Sequence, residues 1–237
     1  MPKQKANTKQ DGGDLIYESL ISRGIVKQQV LEHTNNMFHN IAYIVKQLHD
    51  DLKHKLTANN LQFEIEVNIK TPNEIEVRLN DEVLIFFMHS NVFLFDQDHY
   101  LMQTPYVQED LNRGFCGMIM IYNFLADSFR YNRNYDTGYL IGRIFINKEE
   151  HVYVEGKRQL GFLYQDFESN LCTSDLMNKI VESAFIYALN FDILVPPYEI
   201  VKELTVQQKI EQSGSVQLQT GKRLGFRFSA DKDDLTR

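Results

Sequence analysis

Tryptophan is absent from these 237 residues, cysteine occurs twice, and there are only 12 glycines and 5 prolines. So little glycine and proline excludes a collagen-like repeat, a low-complexity chain or a linker-dominated one. Cys116 and Cys172 lie far apart and form no CxxC, so neither a zinc-knuckle nor a dithiol redox spacing is present. Two reduced thiols are the expectation, in keeping with a cytoplasmic location. Long hydrophobic runs are also missing. The most apolar stretch, residues 115–129, is interrupted by Asn123, Asp127 and Ser128, which makes it too short and too polar to cross a bilayer. The first 13 residues are polar and hold Lys3, Lys5 and Lys9, with no apolar core of a secretory signal. A surplus of positive charge is lacking too: 25 Lys and Arg stand against 32 Asp and Glu, a formal net charge of −7. That balance disfavours nucleic acid as a partner gripped through phosphates, and disfavours an anionic membrane surface. The chain contains no GxGxxG, no GxxxxGK[ST] and no GxSxG, so the common dinucleotide, phosphate-loop and hydrolase signatures do not apply.

What is present is a core-forming composition, 43% hydrophobic with 16 Phe and 12 Tyr. Residues 1–13 read as a disordered tail, and 14–237 as a single α+β domain with a helical segment over 14–57 and sheet and helices over 61–230. Met37, Phe38, Ile41, Ile44, Val45, Leu48, Leu52 and Leu56 recur at steps of three and four. They predict a long amphipathic helix, with a break expected at Arg23-Gly24. Its apolar stripe suits either a sheet or a second copy, so a homodimer through this helix is expected.

The period then changes to two. Phe63, Ile65, Val67 and Ile69 alternate with Glu64, Glu66, Asn68 and Lys70, and Ile75, Val77 and Leu79 continue the pattern after Thr71-Pro72-Asn73. Asn80-Asp81 supplies a second turn, residues 83–88 a buried strand, and residues 92–95 a further short one. Loops this short impose antiparallel pairing. Leu111, Phe115, Met118, Ile119, Tyr122, Leu125, Ala126 and Phe129 fit a helical stripe, which predicts a central helix over 106–131, with Gly114 and Gly117 at close packing contacts. A hairpin is predicted over 138–164. Two C-terminal helices follow, over 174–190 with Ser174 as its cap and over 198–212, and then a strand over 215–229. The fold class is therefore α+β, a mainly antiparallel meander covered by amphipathic helices.

The 138–164 hairpin carries a predicted register. With the turn centred on Glu149, Ile144 opposes Val154, Ile146 opposes Val152, Gly142 opposes Gly156 and Leu140 opposes Arg158. The other face pairs Phe145 with Tyr153, Arg143 with Glu155 and Ile141 with Lys157. The two glycines leave a notch on the apolar face where a helix could dock.

Two kinds of chemistry can be read on this frame. Asp136 with Glu155-Gly156-Lys157 resembles the D…(D/E)xK arrangement of Mg²⁺-dependent nucleases, with Asp136, Glu155 and Lys157 as the catalytic candidates. The register argues against it, because Arg143 opposes Glu155, and Asp136 lies seven positions further on, about 23 Å along an extended strand. The second is anion binding by Arg143, Tyr153, Lys157, Arg158, Lys222 and Arg223, with Arg130, Arg133 and Arg227 nearby in sequence. Gly156-Lys157-Arg158-Gln159-Leu160-Gly161-Phe162 is echoed by Gly221-Lys222-Arg223-Leu224-Gly225-Phe226, too short a match to establish a repeat.

Histidine adds no metal site. His33, His39, His49 and His54 lack i,i+4 spacing, His49-Asp50 lacks the further ligands of an HD site, and Asp96, Asp98 and His99 read as a polar turn. The expectation is a non-enzymatic cytoplasmic binding or regulatory protein, without metal or cofactor, that takes a small anionic ligand or a partner protein on a sheet face. A metal-dependent nucleic-acid hydrolase with Mg²⁺, or a structural subunit of an assembly, are the alternatives.

Overall fold

The computed structural model describes residues 12–192, 195, 197–207 and 209. Helix α1 runs unbroken over Gly12–Ala58. The break expected at Arg23-Gly24 does not occur. A single interior glycine costs about 1 kcal/mol, which a helix of 47 residues absorbs. Gly12 and Gly13, expected in the tail, are already helical, and residues 1–11 lie outside the described set. The helix ends where Asn60 adopts a φ of 54° and the Leu61 amide donates to the Leu56 carbonyl at 2.9 Å, a left-handed cap that satisfies terminal carbonyls.

Strands β1 (Ile65–Thr71), β2 (Glu74–Leu79) and β3 (Glu82–Met88) follow as the alternation predicts. Asn80, with a φ of 56°, makes the β2–β3 turn. β4 (Phe93–Leu94) is short and leads into 3-10 turns at Tyr100–Gln103 and Leu111–Gly114 around helix α2 (Pro105–Glu109). The predicted central helix over 106–131 is corrected here. Phe115–Leu125 is strand β5, and only Ala126–Arg130, helix α3, is helical after it. β5 is buried on both faces, so its apolar residues form a continuous run in which period two is invisible. The two glycines do mark close contacts: a Cβ at Gly117 would lie 1.8 Å from Thr34 Oγ1 of α1, and one at Gly114 would lie 2.7 Å from Met102 Sδ.

β6 (Tyr139–Asn147) and β7 (Val152–Gly156) form the predicted hairpin with Ile144↔Val154, Ile146↔Val152, Gly142↔Gly156, Phe145↔Tyr153 and Arg143↔Glu155 in register. The second strand ends at Gly156 instead of continuing to 164, so Leu140 and Arg158 are not paired. A 3-10 turn over Arg158–Gly161 folds back and places Leu160 on the glycine notch, 2.6 Å from where a Gly156 Cβ would stand. The notch is thus filled by the chain's own turn and not by a helix. Helix α4 spans Ser174–Leu189, capped by Thr173, whose hydroxyl accepts from the Leu176 amide, and not by Ser174. The helix expected over 198–212 is interrupted: Tyr198–Val201 forms helix α5, residues 202–205 are not helical, and Val206, Gln207 and Lys209 are helical again, with residues 208 and 210–212 outside the described set. The strand expected over 215–229 lies outside the described residues.

The sheet is antiparallel throughout, in the order β1-β2-β3-β5-β6-β7, with β4 pairing β5 beyond the end of β3. This is an α+β fold. Cross-strand partners share a face. The row Ile69–Ile75–Phe86–Ile121–Gly142–Gly156 crosses the helix-covered face. There α1 and α4 bury Met37, Phe38, Ile41, Met177, Ile180 and Val181 against Val77, Leu84, Ile119 and Ile144. Each such side chain contributes roughly 1.5–3 kcal/mol by leaving water. The row Glu74–Phe87–Met120–Arg143–Glu155 crosses the opposite face. There residues 93–114 lie over β5, β6 and β7, with Leu101, Met102, Tyr106 and Val107 packed on Cys116, Met118, Phe145 and Tyr153. Among the described residues, no helix is long and apolar enough to cross a membrane.

Candidate functional site

The segment over the second face is pinned by polar contacts. The Asn147 side chain is buried in the β6–β7 turn, where its Oδ1 accepts from the amides of Glu149 and His151. Its Nδ2 donates to the Tyr106 hydroxyl at 2.9 Å, and that hydroxyl donates to Glu149 Oε2 at 2.9 Å. Arg113 donates to Glu149 Oε1 at 3.0 Å and lies 4.4 Å from the Tyr106 ring centroid. Lys148 pairs with Asp110. Burial alone would raise the Glu149 carboxyl, but hydrogen bonds from Arg113 and Tyr106 outweigh it and hold it below the usual carboxylate range. The Lys148 ammonium and the Asn112 amide do the same for Asp110.

A cleft lies beside β4. It holds about 250 Å³, with Phe93, Phe95, Cys116, Met118 and Phe145 as apolar walls and Asp96, His99, Arg143 and Glu155 at its polar side. His99 begins the Tyr100–Gln103 turn and its Nδ1 accepts from the Leu101 amide at 3.3 Å. The neutral ring therefore carries its proton on Nε2, which faces Glu155 Oε1 at 3.4 Å. Phe95 and Tyr100 stack on the imidazole at 4.6 and 5.0 Å. The other Glu155 oxygen accepts from Arg143, whose guanidinium also lies over the Phe145 ring. Tyr153, below them, is buried; burial and a hydrogen bond with Tyr100 push its hydroxyl far above the usual tyrosine range. Burial also pushes the Cys116 thiol far up, so it is no thiolate nucleophile.

The sequence candidates divide three ways. Arg143 and Glu155 line the cleft, whereas Tyr153, although on the same face of the hairpin, is buried and does not line it. Lys157 and Arg158 do not line it: the Lys157 amide donates to the Ile141 carbonyl at the end of β7, and Arg158 lies 5.3 Å from the Tyr187 ring of α4. Lys222 and Arg223, like Arg227, lie outside the described residues. Asp136 is placed before β6, where its carboxylate takes Ser128 Oγ at 2.7 Å and Arg133 Nε at 3.0 Å with only 3% of the side chain exposed. Arg130 is engaged by Glu64 and Asp127. Asp136 and Glu155 are thus each neutralised by a different arginine. Among the described residues, no group of three His, Cys, Asp or Glu side chains is placed to hold a metal ion.

Sequence reasoning missed His99 as a site residue. Its turn is legible, with the Asp98 amide on Asp96 Oδ1, but its partner Glu155 is reached only after residues 93–114 fold across the sheet. No protein-family model, no curated protein and no solved structure matches the chain.

Proposed function

We propose that this chain is a non-enzymatic binding protein whose cleft takes a small molecule with an apolar body and a single carboxylate. The observation that carries this reading is Arg143. Its side chain is 42% exposed at the cleft, and one of its two terminal nitrogens is engaged by Glu155. The remaining N–H donors form a fork suited to a carboxylate. The aromatic walls supply the apolar part, and about 250 Å³ is below the ~300–1,000 Å³ of drug-sized sites, which favours a small ligand. Asp96 and Glu155 limit how much negative charge the cleft accepts, so a monocarboxylate suits it better than a phosphate dianion. A covalent mechanism has no support here, since the cleft's cysteine is protonated and its carboxylate is tied to Arg143 and His99.

Isothermal titration calorimetry with octanoate, phenylacetate and inorganic phosphate tests this. The reading expects saturable binding of a carboxylate probe, no binding of phosphate, and loss of carboxylate binding in Arg143→Met. It is overturned if neither carboxylate binds, or if Arg143→Met binds as tightly as the unaltered protein.

A further inference from the structure

Strand β1 ends the sheet. Among the described residues it pairs only with β2. The direction of its backbone groups follows from its neighbours. The Asn80 amide donates to the Glu64 carbonyl at 2.7 Å, so the even-numbered residues of this strand bond to β2. The β2–β3 ladder agrees, because the Met88 amide donates to the Asn73 carbonyl, which turns the odd residues of β2 toward β3 and its even ones toward β1. Ile65, Val67 and Ile69 therefore direct their N–H and C=O groups outward. Along the same edge Phe63 is 53% exposed and Ile69 50% exposed. An edge of this length with apolar side chains is a template for another strand.

From its charge pattern we infer that the strand added here is β1 of a second copy, antiparallel about a twofold axis at Asn68. Antiparallel pairing about Asn68 sets residues whose numbers sum to 136 opposite one another. Glu66 then faces Lys70 of the second copy, and Lys70 faces its Glu66. Val67 faces the second copy's Ile69 on the helix-covered side and exchanges both outward hydrogen bonds with it. Both relations occur twice, as an isologous interface requires. Lys70 sits at the register shift between Ile69 and Thr71; half of its side chain is exposed, and its ammonium, 3.7 Å from Glu76 on β2, would be shared between Glu76 and the second copy's Glu66. Centring the pair on Val67 instead would oppose Glu66 to Asn68 and Lys70 to Glu64, a carboxylate that Arg78 and Arg130 of its own chain already engage. The product is a continuous antiparallel sheet spanning two copies.

Sedimentation equilibrium of the full chain over a range of concentrations reads this directly. The unaltered chain is expected to be a dimer. Lys70→Glu sets two carboxylates opposite each other twice and should raise the dimer dissociation constant by about tenfold or more. The double exchange Glu66→Lys with Lys70→Glu restores both pairs and should restore the dimer. Val67→Pro removes an outward N–H while leaving the β1–β2 bonds intact, and should give a folded monomer by circular dichroism. A monomer at every concentration overturns the inference. So does a dimer that Lys70→Glu leaves unchanged, or one that the double exchange fails to rescue.

Discussion

The Tyr106 hydroxyl donates to Glu149 Oε2 at 2.9 Å, joining helix α2 to the β6–β7 turn across 43 residues of chain. That bond, with the Asn147 side-chain amide donating to the same hydroxyl, fixes helix α2 on the turn. Tyr106→Phe keeps the ring, and so its contact with Arg113, but strips both partners of the hydroxyl. The expected cost is about 1–3 kcal/mol, because Asn147 Nδ2 is left buried without that acceptor. Urea unfolding of the variant should show a lowered midpoint with an unchanged slope.

Acid should loosen the same region. Asp110 and Glu149 both have carboxyls held below their ordinary range. A carboxyl depressed in the folded state adds stability that is fully present above its unfolded value, about pH 4, and is lost as pH falls through the lower folded value. Unfolding midpoints taken from neutral pH downward should therefore decline below about pH 4. Glu149→Gln should be less stable than the unaltered protein at neutral pH, and the gap should close in acid. A gap that stays constant over the whole range would mean that the Glu149 charge adds nothing.

The two glycines facing each other across the hairpin are close-packing positions of another kind. A Cβ on Gly156 would meet Leu160 Cβ at 2.6 Å and the Ile141 carbonyl at 2.8 Å. Neither is the far end of a flexible chain, so Gly156→Ala should cost about 1–3 kcal/mol through forced displacement of the turn. At Gly142 the nearest atom is the Leu160 methyl Cδ1 at 3.2 Å, which can give way. Gly142→Ala should therefore be the milder change, and thermal melting of the two variants ranks them.

That hairpin also marks how far the sequence could be read. Its turn and charge alternation pointed to the Arg143–Glu155 and Phe145–Tyr153 pairs, and β1 and β2 were equally legible, since apolar and polar residues alternate along them, while β3 was legible as a short apolar run after the Asn80-Asp81 turn. β5 was not. Ile119 and Ile121 face α1 and α4 while Cys116 and Met118 face the 93–114 segment, so its hydrophobicity never alternates. The cleft was half legible: the arginine and the glutamate come from one hairpin, whereas His99 arrives from a segment whose path depends on Tyr106, Arg113 and Lys148 finding partners on a distant turn. Leu160 filling the glycine notch is of the same sort, a tertiary placement without a local pattern.

Gly117 and Thr34 should behave as a coupled pair. Thr34 Oγ1 donates to the Val30 carbonyl within α1 and stands where a Gly117 Cβ would need to be, at 1.8 Å. Gly117→Ala should push α1 off β5 and destabilise the protein severely. Adding Thr34→Ala removes the nearest atom, although Thr34 Cβ would remain at 2.8 Å. The double variant should be more stable than Gly117→Ala alone, a coupling of opposite sign to simple addition. If the two costs add, the α1–β5 contact relaxes elsewhere.

Thiol titration separates the two cysteines. Cys116, on β5 beside β4, is almost fully buried and its thiol is driven far up by burial, whereas Cys172 is partly exposed and pushed up to about 11 by burial and the Glu150 charge. The reacting species is the thiolate. A disulfide exchange reagent at neutral pH should therefore modify Cys172 slowly, faster as pH rises toward its elevated value, and leave Cys116 untouched in the folded protein. Both should react in urea. Tyr106→Phe gives the sharper form of the test: if the Tyr106–Glu149 bond holds residues 93–114 over β5, breaking it should make Cys116 react measurably faster while the rate at Cys172 stays the same.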